Sequence, residues 1–193
     1  LIIAHKIPRV VIACIDTFSE VSGKGIQKLK AAGIDVTLGV LEKNAQELNK
    51  RFFTFHTKKR PYIILKWAKT KDGFIDIDRS TITNNDVDNW ITTPESKKLV
   101  HNWRAKEQAI LIGTTTALND NPKLTVREVM GKNPTRVVLD LNLRLPNTLN
   151  VFDQTVPTLI LNYKKESQIN NLEHIKIDKD QELTDQILAV LYK

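Results

Sequence analysis

The sequence predicts an α/β protein, because segments with strand and helix character alternate along almost the whole chain. Its N-terminal part contains a strand, a helix and a second strand in succession, which implies a parallel pair of strands. The chain has 193 residues, of which 41% are hydrophobic, so it can bury a substantial core in one or two domains. We therefore expect a globular α/β protein.

The first third of the chain predicts two strands and two helices. Residues 10–15 form the first strand, and the segment SGKGIQKLKAAG that follows is helical, with Gly33 placed to end the helix. IDVTLGVL forms the second strand, and residues 44–55 form a further helix with apolar side chains on one face. The basic segment HTKKRP lacks apolar residues and ends in proline, so we place a domain boundary there, between residues 1–58 and 59–193.

The rest of the chain continues this alternation. An apolar run at residues 61–67 predicts a strand, and Thr93 with Pro94 predicts the start of a helix, since threonine caps helices and proline fits their first turn. The elements predicted beyond this helix are a buried strand AILIG, a short helix in TTTALNDNP, strands in TRVVLDL and VPTLILN, a short element ending at IDKD, and a helix in QELTDQILAVLYK.

Charge and cysteine content restrict the possible ligands. The formal net charge of +7 attracts anions, so nucleic acid and phosphorylated small molecules are both considered. Basic residues are scattered in pairs among acidic ones and aromatic residues make up only 6%, so a phosphorylated small molecule or cofactor explains the charge at least as well as RNA does. Nucleic acid would explain the charge but none of the motifs described below, so we expect no nucleic-acid partner. No apolar run approaches the roughly 20 residues of a membrane span, so we expect no membrane partner. The single cysteine, Cys14, is expected to be a buried packing residue in a cytoplasmic protein.

Two stretches raise the question of anion binding, whereas the four histidines are too widely separated to predict a metal site. Gly23-Lys24-Gly25 lacks the third glycine of a dinucleotide fingerprint and has no Walker pattern, so we predict a simple helix start. The stretch AILIGTTTALNDNPKLTVR places amides and hydroxyls at a helix start, where an anion is favoured. An ordinary capped turn with an exposed Arg127 explains the same residues equally well, so both interpretations stay open.

Several blocks together resemble the bifunctional riboflavin biosynthesis deaminase–reductase family. They include VSGKGIQKLKAAGIDVTLGVL, KRPYIILKWAKTKDG, VHNWRAKEQAILIGTTTALNDNPKLTVR and PTRVVLDLNLRLP, in the family's order. The resemblance implies the tail of a cytidine-deaminase-like domain, followed by an incomplete dihydrofolate-reductase-like domain. It also implies that NADPH serves to reduce the ribosyl side chain of 5-amino-6-(5-phosphoribosylamino)uracil to ribityl, and that the full-length protein is a homodimer.

The resemblance assigns roles to individual residues. Lys66 and Asp120 are the implied catalytic residues, and an ammonium such as Lys66 can stabilise developing charge or pass a proton. Arg104 and Arg127 are expected to hold the substrate phosphate, which suits the forked guanidinium. The implied cofactor-binding residues are Lys69, Trp90, Thr116 and Asp120, and the implied substrate-binding residues are Asp88, Arg104, Leu124 and Arg127.

Two departures from the family leave alternatives open. The His-Ala-Glu motif and the paired cysteines of the family's zinc deaminase are absent from this sequence, so zinc is expected only in a deaminase site outside it. The sequence also ends where the family continues into a strand with a Glu-Gly-Gly turn. We expect a reductase, and the alternatives are that the whole protein is also a deaminase, or that this chain is an inactive binding module.

Overall fold

The computed structural model describes residues 1–18, 21–79 and 90–193. They separate into two compact units, one of Leu1–Ile64 with Thr184–Lys193 and the other of Leu65–Leu183. Both units contain helices and parallel strands, so the predicted α/β class is confirmed. The domain boundary placed after residue 58 stays a prediction. None of the helices in the described residues is long and apolar enough to cross a membrane.

The first unit begins with the predicted strand–helix–strand arrangement. Strands β1 (Arg9–Ile12) and β2 (Asp35–Leu38) pair in parallel and are joined by α1 (Lys24–Ala31). Gly33 follows α1 with a φ of 75°, a left-handed conformation that glycine adopts readily and that ends a helix. Because α1 begins at Lys24, the two glycines around it belong to a helix start, as predicted.

Two details of this unit differ from the sequence expectation. The helix predicted over residues 44–55 is two helices, α2 (Glu42–Leu48) and α3 (Lys50–Lys58). They meet at Asn49, whose side-chain Nδ2 donates to the carbonyl of Ala45 and so competes with continued helix. Cys14 has a free thiol but is only half-buried, because a two-stranded sheet covers little of the segments beside it.

The second unit is built on a five-stranded sheet with the order β3-β4-β5-β7-β6. All neighbours pair in parallel except β6, which runs antiparallel to β7. The short β6 has no counterpart in the sequence prediction. The elements are α4 (Pro94–Lys106), β3 (Ala109–Gly113), α5 (Thr114–Asp120), β4 (Thr135–Leu139), a 3-10 helix (Asn150–Phe152), β5 (Thr158–Asn162), β6 (Ser167–Ile169) and β7 (Leu172–Lys176). The last helix, α6 (Leu183–Tyr192), belongs to the first unit from Thr184 onward.

The core of the second unit lies between the sheet and the segments that cross it. Its buried cluster combines strand residues with residues of α5 and of the loops: Ala117, Leu124, Val138, Leu145, Val151 and Ile160. The loop after β4 is held by Asp140, which is 1% exposed and accepts hydrogen bonds from the amides of Arg144 and Leu145, both at 3.0 Å. The core therefore fixes both α5 and the segment that carries Leu124.

Two predicted strands need correction. The prediction of a strand at residues 61–67 is wrong, because this segment pairs with no strand among the described residues, and Leu65 is 78% exposed. An apolar run can favour a strand, but only hydrogen bonds to a neighbour make one. The segment AILIG does form β3, but it is not buried: it lies at one edge of the described sheet, and Leu111 is 40% exposed.

Candidate active site

Helix α4 presents a row of basic residues along one face. The helix starts as the sequence predicts, with Pro94 in the first turn and the Thr93 hydroxyl accepting a hydrogen bond from the Ser96 amide at 3.3 Å. Lys97, His101 and Arg104 are spaced four and three residues apart, which places them on the same side of a helix.

This face of α4 holds the extended segment that follows Leu124. Arg104 Nη1 donates to the carbonyl of Thr125 at 2.8 Å, and the amide of Arg127 donates to Nδ1 of His101 at 3.2 Å. Further along, Lys97 Nζ lies 3.6 Å from Glu128 Oε1. These contacts bring Arg104 and Arg127 together with His101, and we call His101, Arg104, Thr125 and Arg127 the arginine cluster.

The segment is also anchored on its other sides. Leu124 is 6% exposed and has a φ of 56°, so its side chain enters the core while the backbone turns sharply. Beyond it, the amide of Val126 donates to Oδ1 of Asn133 at 2.7 Å. The backbone that carries Arg127 is therefore fixed by α4, by the core and by its own loop.

The arginine cluster has the electrostatic properties of an anion site. Burial, and then the neighbouring charge of Arg127, lower the pKa of the half-buried Arg104 guanidinium. Its Nε is buried and has no hydrogen-bond partner among the described residues. No carboxylate among the described residues offsets these two neighbouring guanidinium charges in the shift of the Arg104 pKa, so a phosphate beside them would be attracted by both. Arg127 is exposed and can add a second set of donors.

His101 is a member of this cluster that the sequence analysis did not single out. It is 3% exposed, and burial, followed by the charges of Arg104 and Arg127, lowers the pKa of its imidazole. The sequence contains a signal for it, since His101 stands three residues before Arg104 in a predicted helix and so shares its face.

The predicted cofactor residues Thr116 and Asp120 lie together on α5. They are four residues apart, on one side of the helix, and both are exposed. Oδ1 of Asp120 lies 3.7 Å from Nη2 of Arg79, which also donates to Asp76. A hydroxyl and a carboxylate exposed side by side can hydrogen-bond ribose hydroxyls, so they fit a nucleotide in chemistry. Arg79 was not predicted as a site residue.

The helix start at Thr114 does not itself offer an anion site. The Thr114 hydroxyl donates to the carbonyl of Leu139 at 2.7 Å, so it serves to tie α5 to the end of β4. Helix α5 has only seven residues. Of the two interpretations left open, the structure therefore favours the ordinary turn at Thr114. The groups suited to bind an anion are instead the guanidinium groups of Arg104 and Arg127.

The other predicted site residues are less closely held. Lys66 and Lys69 are exposed, and in the part of the chain that the structure describes no hydrogen bond or ion pair joins Lys66 to Asp120. Trp90 is 64% exposed, and Nζ of Lys97 lies 5.3 Å from the centroid of its ring. Asp88 lies outside the described residues. The roles given to all of these residues stay predictions.

Gly131 and Ala105 make a close contact that helps to position the Arg127 segment. A Cβ on Gly131 would lie 2.5 Å from Cβ of Ala105 on α4. Gly131 also has a φ of 159°, which residues with a side chain rarely adopt. Gly131→Ala is therefore expected to lower the free energy of unfolding by about 1–3 kcal/mol through overpacking, with backbone strain in addition. Urea unfolding measures this change, and Gly73→Ala, where φ is also positive at 98° but the added Cβ meets no atom within 4 Å, is the control for backbone strain alone.

A double-mutant cycle separates this contact from unrelated effects. Ala105→Gly alone should cost about 1 kcal/mol of helix stability. In the double variant, the smaller residue at position 105 should relieve the overpacking part of the cost of Gly131→Ala, while the backbone strain at residue 131 remains. Simple addition of the two single costs would contradict the close contact.

The fold and the arginine cluster together define an α/β domain with a cluster of basic side chains beside α4. The family model described as the RibD C-terminal domain matches residues 61–192. The chain therefore belongs to this family, which confirms the resemblance seen in its sequence.

Individual relatives agree with this assignment and extend it to the first unit. The chain is 42% identical over 174 residues to the riboflavin biosynthesis protein RibD of Aquifex aeolicus, covering 89% of this chain and 47% of that protein. With RibD of Bacillus amyloliquefaciens it shares 41% identity over 162 residues, covering 83% and 42%. The chain thus spans about half the length of the curated relatives it matches.

Solved structures show the same relationship. The structure of a diaminohydroxyphosphoribosylaminopyrimidine deaminase/5-amino-6-(5-phosphoribosylamino)uracil reductase from Thermotoga maritima superposes with a TM-score of 0.84 and 35% identity, covering 99% of this chain and 52% of that one. A RibD structure from Acinetobacter baumannii gives a TM-score of 0.79 with 28% identity, covering 99% and 52%. The N-terminal unit therefore also has a counterpart in these proteins.

Proposed function

We propose that this chain carries a riboflavin biosynthesis reductase, which converts the ribosyl side chain of 5-amino-6-(5-phosphoribosylamino)uracil to ribityl with NADPH. Membership of the RibD C-terminal domain family supports the reaction. The observation that carries the substrate class is the arginine cluster, in which the half-buried Arg104 guanidinium lies close to the charge of Arg127 and no carboxylate among the described residues offsets the two in the shift of its pKa. A sugar phosphate supplies the acceptor oxygens that this cluster needs.

The residues of the second unit fit a pyridine nucleotide in chemistry. Thr116 and Asp120 would bind ribose hydroxyls, the exposed Lys69 would pair with phosphate, and the exposed Trp90 offers an aromatic surface. When bound, NADPH supplies the hydride that the reduction requires. The protein's own part is to hold the phosphorylated substrate in alignment, and Lys66 would give a proton to the ring oxygen of the ribose as the ring opens.

Deamination of the preceding diaminopyrimidine by the whole protein is the alternative that the relatives support. The Thermotoga maritima protein is described as both a deaminase and a reductase. The resemblance places the zinc of such a deaminase in a site outside this sequence. Homodimer formation and a cytoplasmic location remain predictions.

An absorbance assay of NADPH oxidation tests the reductase directly. With the purified chain we expect turnover of 5-amino-6-(5-phosphoribosylamino)uracil and none of the undeaminated diaminopyrimidine. No turnover by a folded protein that still binds the substrate would leave the chain an inactive binding module. Comparable turnover of both compounds would contradict the proposed specificity for the deaminated ring.

Arg127→Ala tests which molecule the cluster holds. We expect the KM for the phosphorylated substrate to rise roughly tenfold, because an exposed guanidinium contributes about 1.5 kcal/mol, the low end for charged hydrogen bonds. The KM for NADPH should change little. Lys132→Ala, an equally charged and exposed residue of the same loop, is the control. An equal rise in both KM values would count against a substrate-binding role.

A further inference from the structure

The histidine of the arginine cluster faces the backbone of one arginine and the side chain of the other. His101 Nδ1 accepts the hydrogen bond from the Arg127 amide at 3.2 Å, and the imidazole is 3% exposed. An imidazole nitrogen can accept only when it carries no proton. The hydrogen bond from the Arg127 amide therefore requires the neutral tautomer of His101 that has its proton on Nε2.

We propose that His101 is a positioning residue for the anion site, which holds the Arg127 backbone against α4 and does so only while its imidazole is neutral. This inference rests on the proposed function, since it concerns the site assigned to the substrate phosphate. Protonation puts a proton on Nδ1, which then faces the Arg127 amide donor, so the segment loses its anchor to α4 at this point.

The surroundings of His101 favour the neutral form. The charged groups that face it are Lys97 and Arg104 from α4, and Arg127 and Glu128 from the extended segment. Burial has the largest effect and lowers the pKa of His101, the three cations lower it further, and only Glu128 raises it. The pKa therefore lies below the ordinary 6.5, and the acceptor is present at neutral pH.

Two substitutions separate the acceptor from the charge. His101→Asn places an amide oxygen near the position of Nδ1 and cannot titrate, so it should keep the anchor at every pH. His101→Leu fills the space without an acceptor. Binding of ribose 5-phosphate, measured by isothermal titration calorimetry at pH 8, should weaken about five- to tenfold in His101→Leu and less than twofold in His101→Asn.

The pH dependence provides the more specific readout. As the pH is lowered from 8, we expect the affinity of the wild type, divided by that of His101→Asn, to stay constant while the imidazole is neutral and to fall in the range where NMR of the same protein shows His101 gaining its proton, because only the wild type loses its acceptor. Titration of the phosphate itself cancels in this ratio. His174→Asn, a change at a second buried histidine outside the cluster, should leave the affinity unchanged.

The possible results are distinguishable. A ratio that rises at low pH would mean that the imidazolium attracts the anion, and it would overturn the positioning role. Unchanged affinity in His101→Leu would overturn it as well, as would a ratio that stays flat while His101 gains its proton. If the wild type binds no ribose 5-phosphate, the anion site itself is wrong and this inference falls with it, whereas the NADPH assay tests the reductase independently. If His101→Leu fails to fold, the pH ratio for His101→Asn still decides.

Discussion

Asp153→Ala is expected to lower the free energy of unfolding by about 3–5 kcal/mol, the cost of leaving one buried charge without its partner. The partner is Arg136 on β4, whose side chain is 0% exposed. Arg136 Nη1 donates to Asp153 Oδ1 at 2.7 Å and to the carbonyl of Asn150 at 2.9 Å. Nη2 donates to Oγ1 of Thr155 at 3.1 Å. Removing the carboxylate would leave the guanidinium inside the protein with neutral acceptors only.

The same pair predicts a loss of stability in acid. The hydrogen bond from Arg136 is the main cause that lowers the pKa of Asp153 from 3.8 to about 2. Because the folded state holds this proton less tightly than the unfolded state, the contribution is complete above about pH 4 and is lost as the pH falls toward 2. Because Asp153 is partly open to water, a shift of this size corresponds to at most about 2 kcal/mol, less than the cost of removing the side chain, which also leaves Arg136 without its charged partner.

Urea unfolding followed by circular dichroism at pH 7, 4 and 3 checks both expectations. Asp153→Ala should unfold at much lower urea than the wild type at pH 7, and the difference should shrink at pH 3. Glu166→Gln removes one exposed carboxylate and serves as the control. If the free energies of unfolding of the wild type and the variant differ by the same amount at pH 7 and at pH 3, the charge of the Asp153 carboxylate is not what stabilises the fold.

Arg136 also shows what the sequence could and could not predict. The run TRVVLDL predicts β4 correctly, because a short continuous apolar run of β-branched residues is typical of a buried strand. Its arginine gives no sign of being fully buried, since the acceptors stand 14 to 19 residues further along the chain. Partners at that distance are decided by the tertiary fold.

The same contrast between local sequence signals and tertiary contacts explains why helix α4 was predicted correctly and the strand at residues 61–67 was not. Helix α4 was predictable because its start is encoded locally by Thr93 and Pro94. The conformation of segment 61–67 was not predictable in this way. Its apolar side chains favour a strand, but a strand also needs hydrogen bonds to a neighbour, and the sequence does not specify that neighbour.

The candidate site was predictable to a similar extent. Arg104 and Arg127 were identified through a family resemblance, and the structure brings them into one cluster. His101 was not predicted as a site residue, because its contact with the Arg127 amide is what distinguishes it from an ordinary packing histidine. Helical spacing could have drawn attention to its position, but not to that hydrogen bond.

Arg104→Ala is expected to have the largest effect on substrate binding. The Arg104 guanidinium is half-buried, so its hydrogen bonds to a phosphate should be worth about 3 kcal/mol, the upper end of the range for charged groups. The KM for 5-amino-6-(5-phosphoribosylamino)uracil should rise roughly 150-fold, and the KM for NADPH should change little. Steady-state NADPH oxidation at varied substrate concentration measures both. Lys98→Ala, an exposed charge on the same helix, is the control.

Arg104→Lys distinguishes the geometry of the guanidinium from its charge. Nη1 of Arg104 already donates to the carbonyl of Thr125, so the group must hold the protein segment and the ligand at once. A guanidinium has five donors in a fixed fork, whereas the three donors of an ammonium lie on one atom and cannot span both partners. Arg104→Lys should therefore recover less than half of the lost binding free energy. Full recovery would mean that the site needs only a positive charge, and that the contact with Thr125 is incidental to binding.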